Sequence, residues 1–584
     1  MKSFSKTVAC ALGVALLLLP LGQSARAQLL DRYQQLLQQG TQFEQQGNFD
    51  RAKSVFMEAS KLRPDDPAAY FALAKLNIAQ KKWNRAKHWL QEILKRDDNN
   101  LEAHYLLGIC ERESVTFADP INRRLGWRNA KKHFEKILQK DSTFKQVLFE
   151  YALLKEDQNE YEDAIDLCYR QLRLKPDLFN VKYQLLQLYD RFLRNGGKST
   201  FTFGSSGPDQ YQIQWLKSRG TDYDIYFLGE KYRRMGKFNQ ADSIFDRLLN
   251  KPLPFSTIPV LLSKVRLYYQ TDRPELAEQT YWQAVDGLSS FNEIRFIFDD
   301  AVYIMSDQDL QTRFHSLADI KKFYHRFWTR KNPISSAGNN LRLAEHYRRL
   351  IEAEKDYVFD GLRVAANDPD QLHLIHLPLA FRRNTKFNDK GLVYIRYGQP
   401  DEIARTTEQD VESNESWLYK ATPYNPQVIF HFEIAKHAPP NDWRLVPVPT
   451  DFRMMESRLG WDRDLDRYLM SGDELERNSI LHELRNTASV KTSEALAKDR
   501  STWLNEFRVI PLHINVARFF DNRFRNDVQI YLSLPKKTID QNLKNRQQLR
   551  LEFGAALFNH NWDPVDERKR QVVFTAQDTL KLNG

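Results

Sequence analysis

The sequence predicts a multidomain protein in which an all-α solenoid of helix pairs is followed by an α+β region and an all-β end. Three observations predict this order. Alanines recur at intervals close to 34 residues in the first half, alternating β-branched and aromatic residues form several runs in the second half, and 584 residues are too many for a single hydrophobic core.

The first 27 residues have the three parts of a secretory signal peptide. Lys2 and Lys6 precede an apolar run over residues 8–21, and residues 25–27 read Ala-Arg-Ala, a small-x-small cleavage site. The apolar run is shorter than the ~20 residues that span a bilayer. We therefore expect export to the periplasm, the outer membrane or the cell exterior, and a mature chain with no transmembrane segment.

The charge balance gives no sign of a nucleic-acid partner. The formal net charge is +10, but the basic residues are spread along the chain without a dense block. This pattern predicts a solvated basic surface and leaves contact with anionic envelope polymers open. Only Cys110 and Cys168 follow the leader, so a single disulfide is open and a cysteine framework is excluded. We expect no cofactor.

Small and large residues recur in one register from residue 28 to about residue 290. The alanines, which we assign to position 20 of each repeat, are Ala52, Ala86, Ala130, Ala164, Ala241 and Ala277. Position 8 is again small, as Gly40, Ala74, Gly108, Ala152 and Gly229, and position 24 is large or apolar, as Phe56, Leu90, Phe134, Cys168, Phe245 and Tyr281. With these residues the segment resembles tetratricopeptide repeats, a family in which two helices cross closely at positions 8 and 20.

Two insertions interrupt this register. About ten residues between Ser114 and Leu125 lengthen the third repeat, and a Gly/Ser-rich loop from Asn195 to Pro208 is predicted to replace the second helix of the fifth. The loop contains Gly-Gly-Lys-Ser, but Phe192 stands where a phosphate-binding loop needs its first glycine. We interpret this second insertion as a loop on one face of the solenoid.

The resemblance also implies which side chains line a concave groove, because the family directs position 5 of the first helix into it. That position is occupied by Phe71, Tyr105, Phe149, Tyr183 and Tyr226, and charged residues nearby are Lys75, Arg112, Glu156, Arg191 and Arg233. Aromatic rings are enriched at binding hot spots, so we predict a protein or peptide partner in the groove. The alternative, that the rings serve packing alone, stays open.

Residues 291–450 combine predicted helices with predicted strands. Segments around Phe327-Trp328 and Tyr347-Arg348-Arg349 indicate helices, and the run from Asp389 to Ile403 predicts a strand that ends in a Gly-x-Pro-Asp turn. Residues 415–419 and 428–433 predict two further strands of an antiparallel set.

These segments resemble the GWxTD domain, a bacterial family of unknown biochemical activity that is often found behind tetratricopeptide repeats. The residues that carry the resemblance are Trp328, Asp389, Gly391, Gly398, Pro400 and Asp401. The naming motif aligns with residues 385–389, of which only Asp389 matches. If that motif builds a turn, Asn388-Asp389-Lys390-Gly391 suits it, since Asn, Asp and Gly favour tight turns.

No catalytic set can be assembled from the sequence. Asp389 and Asp401 are the only acids that we would test, and turn or capping roles are favoured for both. His373 and His376 have no third ligand nearby, and Asp462, Asp464 and Asp466 are followed by Arg467 where a calcium loop needs glycine. We therefore predict no metal site.

The last segments are a helical connector over residues 451–505 and a β-sandwich-like domain over residues 506–584. Four or five strands can be counted, whereas a sandwich needs about seven, so the domain is expected to be incomplete or to use a partner strand. We predict an exported scaffold that holds a protein or peptide during cell-envelope assembly. The alternatives are an envelope enzyme acting on a polymer or peptide that the repeats recruit, and surface or polysaccharide binding by the sandwich.

Overall fold

The computed structural model describes residues 28–115, 120–195, 207–332, 339–359, 375–422, 425–436, 438–501, 512–520, 526–535, 539, 548–559 and 564–575. The predicted signal peptide, His373 and most of the Gly/Ser-rich loop lie outside these residues. The chain divides into two compact units, Met1–Arg219 and Gly220–Gly584. Among the described helices, none is both long and apolar enough to cross a bilayer.

The first unit is a series of helices, in which α2 to α9 each pack against the next along the chain. They are α1 (28–45), α2 (Phe49–Leu62), α3 (Pro67–Ala79), α4 (Trp83–Leu94), α5 (Leu101–Glu113), α6 (Pro120–Lys140), α7 (Val147–Asp157), α8 (Tyr161–Leu174), α9 (Phe179–Asn195) and α10 (Pro208–Arg219). This order confirms the helix pairs predicted for this part of the repeat region.

The expected loss of a helix in the fifth repeat was wrong, because α10 follows the insertion and packs against α9. Trp215 lies with its ring centroid 4.7 Å from that of Phe192, and the Gln212 amide donates to the Phe192 carbonyl at 2.6 Å. The apolar face of α9 needs a covering helix whatever the length of the connection, so the insertion delays the second helix without removing it.

The repeat register is confirmed by burial. All six position-20 alanines are completely buried. At position 8, a Cβ added to Gly40, Gly108 or Gly229 would overlap the position-24 phenylalanine of the same repeat. Where position 8 is alanine instead, as in Ala74 and Ala152, position 24 holds the smaller Leu90 or Cys168. The side chains at positions 8 and 24 therefore fill a nearly constant combined volume where the helices cross.

In five repeats, the turn between the two helices uses the left-handed backbone region at the same register position. The residues there are Gly47, Lys81, Asn159, Gly236 and Asp272, with φ between 52° and 75°. The N–H of the following residue donates to the carbonyl five residues earlier at 2.8–2.9 Å, which satisfies a carbonyl that the helix end leaves free.

The second unit begins with further helices. They are α11 (Asp222–Arg234), α12 (Phe238–Leu249), α13 (Ile258–Gln270), α14 (Pro274–Asp286), α15 (Ile294–Ala301), α16 (Asp307–Gln311), α17 (Leu317–Lys331), α18 (Leu341–Asp356), α19 (Leu379–Arg382) and α20 (Asp389–Tyr397). Helices α11 to α14 continue the repeat register, and α13 packs against α18, beyond the predicted end of the repeats.

An antiparallel sheet in the order β1-β2-β3-β4 follows, formed by β1 (Glu402–Ala404), β2 (Asn414–Tyr419), β3 (Val428–Glu433) and β4 (Arg444–Val446). After it come α21 (Phe452–Glu456), α22 (Arg463–Met470) and α23 (Glu474–Leu496). Two hairpins complete the described elements: β5 (His513–Phe520) with β6 (Asn526–Ser533), and β7 (Gln548–Phe558) with β8 (Pro564–Thr575).

One strand prediction was wrong, since residues 389–397 form α20. The Asn388 side chain caps this helix by accepting the Gly391 N–H at 2.9 Å. Leu392, Val393 and Ile395 are all completely buried. An apolar run that is buried on every side has no polar face, so periodicity cannot distinguish a strand from a helix here.

Other elements of this half lie where the sequence predicts them. β2 and β3 coincide with two predicted strands, α21 to α23 fall in the segment predicted to be helical, and four C-terminal strands are present as two hairpins. Apolar side chains on the first hairpin are exposed, including Ile514, Val516 and Ile530. The sandwich and the domain boundaries stay predictions.

Buried charge joins the last repeat to the helices that follow it. Arg266 on α13 donates two hydrogen bonds to Asp300 on α15, at 2.6 and 2.9 Å, and two to Glu354 on α18, at 3.0 and 3.1 Å. Burial would raise the pKa of Glu354, but the positive charges of Arg266 and Lys386 hold it well below its usual range. The carboxylate is therefore ionised in its buried position.

We expect Gly108→Ala to lower the free energy of unfolding by about 1–3 kcal/mol, because the new methyl group overpacks the helix crossing. Adding Phe134→Leu should recover part of the loss, since it recreates the Ala74–Leu90 pairing. Urea titrations of the two single variants and the double variant measure the coupling. If the losses of the two single variants simply added in the double variant, the two side chains would not share a fixed volume, and the explanation would be contradicted.

His346 should make the second unit less stable as the pH falls. The ring is completely buried and its Nε2 donates to the Asp300 carbonyl at 2.9 Å. Burial and the charges of Arg342, Arg349 and Arg266 lower its pKa to about 3. Protons therefore bind the unfolded chain first, and stability is lost as the pH drops from the ordinary histidine pKa of about 6.5 towards 3.

The matched variant is His346→Gln, which keeps a donor for Asp300 but does not titrate. Between pH 6.5 and 5 the parent protein should lose about 1–2 kcal/mol more than the variant. Tryptophan fluorescence during urea unfolding is a suitable signal, since the Trp328 ring lies 5.3 Å from His346. Identical pH dependence in the two proteins would exclude a neutral buried ring.

Candidate functional site

The aromatic residues at position 5 fall into two groups. Phe71, Tyr105 and Phe149 lie on α3, α5 and α7 and are half-buried, so part of each ring is accessible. Tyr183 and Tyr226 are each only 7% exposed. The Tyr226 hydroxyl lies 2.9 Å from the Ser263 hydroxyl. Three accessible rings on successive first helices of the first unit therefore form the candidate binding surface, which we call the ring face.

Cations sit over two of these rings. The Lys75 ammonium lies 6.0 Å from the Phe71 ring centroid, and the Lys145 ammonium lies 5.3 Å from that of Tyr105. The carboxylate of Glu102 pairs with both lysines. Cation–π contacts of this kind hold exposed rings in one orientation and leave a mixed apolar and charged surface.

The charged residues predicted beside the rings are ion-paired within their own unit. Arg112 donates to Glu150 at 2.9 Å, and Arg191 lies 3.0 Å from Glu156. In the second unit Arg233 donates twice to Glu230, at 2.8 and 2.9 Å. Burial opposes the ionisation of Glu230, yet the charge and hydrogen bonds of Arg233 lower its pKa to about 2. These pairs fix the helices that carry the rings.

Asp389 joins α20 to the sheet. It is completely buried, its N–H donates to the Trp443 carbonyl at 3.1 Å, and its carboxylate accepts the Leu445 N–H at 2.9 Å. Gly391, two residues further on, has no room for a side chain, because a Cβ there would lie 2.7 Å from the Tyr357 Cβ. Residues 388–391 thus form the N-terminal end of α20 and contact β4.

Lys390 of the same segment was not singled out from the sequence. Its ammonium lies 4.2 Å from the Trp443 ring centroid and 5.6 Å from that of Trp417, and it pairs with Glu415 at 3.0 Å. Burial lowers the pKa of Lys390, while the charge of Glu415 opposes that effect. Trp417 and Trp443 come from segments further along the chain. No local sequence pattern therefore indicates that they surround the Lys390 ammonium.

Gly398 and Asp401 shape the turn after α20. Gly398 has φ +79°, and a Cβ there would lie 2.9 Å from Nε of Arg349, whose guanidinium donates to the Arg396 carbonyl at 2.8 Å. Pro400 is half-buried in the turn, and Asp401 is exposed and accepts the Lys420 N–H at 2.7 Å. Glycine is needed here for its backbone and for the approach of Arg349.

Trp328 is a completely buried member of an aromatic cluster. Its indole N–H donates to the Tyr281 hydroxyl at 2.7 Å, which links α17 to α14. Within the described ranges, no group of three or more His, Cys, Asp or Glu side chains could hold a metal ion. Asp462, in the acidic run considered above, caps α22 by accepting the Asp464 N–H at 2.7 Å.

Comparison with known proteins supports the repeats. The tetratricopeptide repeat family model matches residues 44–110. No curated protein matches the chain.

Several solved structures match at low similarity. A structure from the functional characterization of Pseudomonas aeruginosa pilF is 14% identical, covers 46% of this chain and 99% of its own, and has a TM-score of 0.25. PilW, a widely conserved type IV pilus biogenesis factor, is 12% identical, with 45% and 98% covered and a TM-score of 0.25. A thermophilic TPR protein in Thermus thermophilus is 17% identical, with 40% and 96% covered and a TM-score of 0.23.

The family match and the buried register together show tetratricopeptide repeats in the N-terminal region, and such repeats are scaffolds that bind protein partners.

The two aspartates of the GWxTD-like segment should differ in their effect on stability. Asp389→Ala removes a buried acceptor and leaves the Leu445 N–H unpaired, so we expect a loss of about 1–3 kcal/mol. Asp401→Ala affects an exposed turn, and the loss should stay below about 1 kcal/mol. Urea unfolding of both variants, with Asp389→Asn as the acceptor-retaining control, measures this. A stable Asp389→Ala protein would argue against the structural role.

Proposed function

We propose that this chain is an exported scaffold whose repeats hold a protein or peptide partner on the ring face. The observation that carries the proposal is the accessibility of Phe71, Tyr105 and Phe149 on α3, α5 and α7. Their counterparts Tyr183 and Tyr226 are buried. Aromatic side chains contribute large contact areas at low entropy cost, which makes accessible rings in a regular series suited to binding an extended peptide.

The surroundings of the rings support a peptide whose charged and apolar groups alternate. Lys75, Glu102 and Lys145 form a short row of opposite charges next to Phe71 and Tyr105. Salt-screened charges of this kind contribute to partner choice and association rate more than to affinity. The rings are therefore the part of the surface expected to dominate the binding energy.

The scaffold would act in the cell envelope, and the second half of the chain would be a GWxTD-like module followed by β-structure. The support for export is the leader pattern in the sequence of residues 1–27. Asp389 and Asp401 both have hydrogen-bonding roles in the fold. A role in assembly accounts for these observations without a reaction.

We expect the double variant Tyr105→Ala/Phe149→Ala to capture its partner about tenfold less well than the parent, since hot-spot rings contribute roughly 1 kcal/mol or more each. The measurement is crosslinked capture from envelope fractions of the source cell, quantified by mass spectrometry. The two substitutions remove half-buried rings and leave the helices of each repeat intact, so the helical circular dichroism signal should be unchanged.

Phe49→Ala is the matched control, because Phe49 is a 39% exposed ring on the second helix of a repeat. It should capture the partner as well as the parent protein does. Equal losses in the control and the double variant, or unchanged capture in both, would contradict the ring face. A loss of helicity in the double variant would assign the rings to packing instead.

A further inference from the structure

A cavity of about 760 Å³ lies between α23 and the four-stranded sheet of the second unit. Its wall is formed by the start of β3, the residues after β4, part of α22, and α23 with the residues that follow it. Cavities of about 300–1,000 Å³ are the usual size of small-molecule sites. None of its lining residues belongs to the ring face, and Tyr397 at the end of α20 completes the wall.

Part of the α23 surface that lines the cavity carries small side chains. Ala488, Thr492 and Ala495 follow one another at helical spacing, and Val428 and Ile429 lie on the opposite wall. One side is fixed by a buried core cluster that includes Val448, Leu465 and Leu484, all of which also line the cavity. This part of the wall is therefore apolar, whereas Lys498, Asp499 and Arg500, which follow α23, make the adjoining part charged.

Arg500 supplies a buried positive charge to this wall. The residue is only 4% exposed, and its Nε and Nη1 atoms are buried with no hydrogen-bond acceptor in the described part of the chain. The neighbouring Asp499 pairs instead with Lys331 at 2.5 Å and Arg342 at 3.0 Å. A buried guanidinium with unused donors is costly unless an acceptor arrives.

His431 adds a second donor to the same cavity. Arg458 donates to the Ser416 hydroxyl at 2.9 Å, which leaves that hydroxyl to donate to Nδ1 of His431 at 2.7 Å. This network assigns the remaining ring proton to Nε2. Burial, together with the charge of Arg458, lowers the pKa of His431 to about 3, so the ring is neutral and still a donor.

We propose that this cavity binds an organic monocarboxylate, with the carboxylate on Arg500 and an aliphatic body against Val428, Ile429 and Ala488. Arg500 is the one buried cation among the described lining residues, and one cation matches one negative charge. Lys491 and Lys498 of the same wall are exposed, and Lys491 lies 3.6 Å from both Asp462 and Asp464. Of the other acids in the wall, Asp499 is paired with Lys331 and Arg342, and Glu494 is exposed. A phosphate monoester carries a second negative charge. Among the described residues of this wall, no unpaired guanidinium besides Arg500 is present to neutralise it.

Decanoate is the probe, titrated calorimetrically into the full chain. We expect saturable binding, with decanol and decyl phosphate each at least tenfold weaker. Arg500→Met should weaken decanoate at least tenfold, and without ligand its thermal midpoint should be equal or higher, because an unpaired buried charge is gone. Arg467→Met is the control, since Arg467 is an exposed arginine on α22 outside the cavity wall, and it should bind decanoate normally.

Ala488→Leu tests the apolar part independently by filling the cavity while Arg500 is kept. It should abolish decanoate binding and leave the chain folded, as leucine is a good helix former. The proposal is overturned if decanoate does not bind the parent, if it binds Ala488→Leu unchanged, or if Arg500→Met and Arg467→Met bind alike. Decanol or decyl phosphate binding as tightly as decanoate would overturn the assignment of a monocarboxylate.

Discussion

The guanidinium of Arg266 is the contact on which the second unit depends. It holds Asp300 and Glu354 with two hydrogen bonds each, and Lys386 shares Glu354 at 2.8 Å. Removing one member of a buried ion pair leaves an uncompensated charge and costs about 3–5 kcal/mol. Helices α13, α15 and α18 are therefore bound to one another, and the last repeat is part of the body that follows it.

A second set of largely buried ion pairs lies just after the end of α23. Asp499 accepts from Lys331 on α17 and Arg342 on α18, and Arg396 on α20 donates to the Lys498 carbonyl at 3.2 Å. At the end of α20, Arg349 covers carbonyls that the helix leaves free. Arg349 of α18 and Arg396 of α20 itself thus fix the C-terminal end of α20, and the approach of Arg349 accounts for the glycine at position 398.

How much of this could be predicted follows from how local the interactions are. The repeats were predictable because Gly108 and Phe134, or Ala74 and Leu90, are neighbours within one repeat and recur in register. The ion pairs were not, because Arg266 and Glu354 are 88 residues apart and Lys331 and Asp499 are 168. Helix α20 was mistaken for a strand because burial on every side removes the alternation that separates the two.

Position 5 shows most clearly what the register determines and what it leaves to tertiary packing. The register places a ring at that position in both units, but exposure depends on what the neighbouring helix contributes. In the second unit Tyr226 is buried, and its hydroxyl reaches Ser263 and the Pro259 carbonyl on α13. There the ring joins two repeats.

On α3, α5 and α7 the ring at position 5 is instead half-buried, and Lys75 and Lys145 lie over the rings of Phe71 and Tyr105. A lysine ammonium stays hydrated and can be displaced by an incoming chain, whereas the hydroxyl contacts of Tyr226 are buried and cannot. One sequence position therefore has two physical uses. The repeat motif alone does not distinguish the half-buried rings of α3, α5 and α7 from the buried ring of Tyr226.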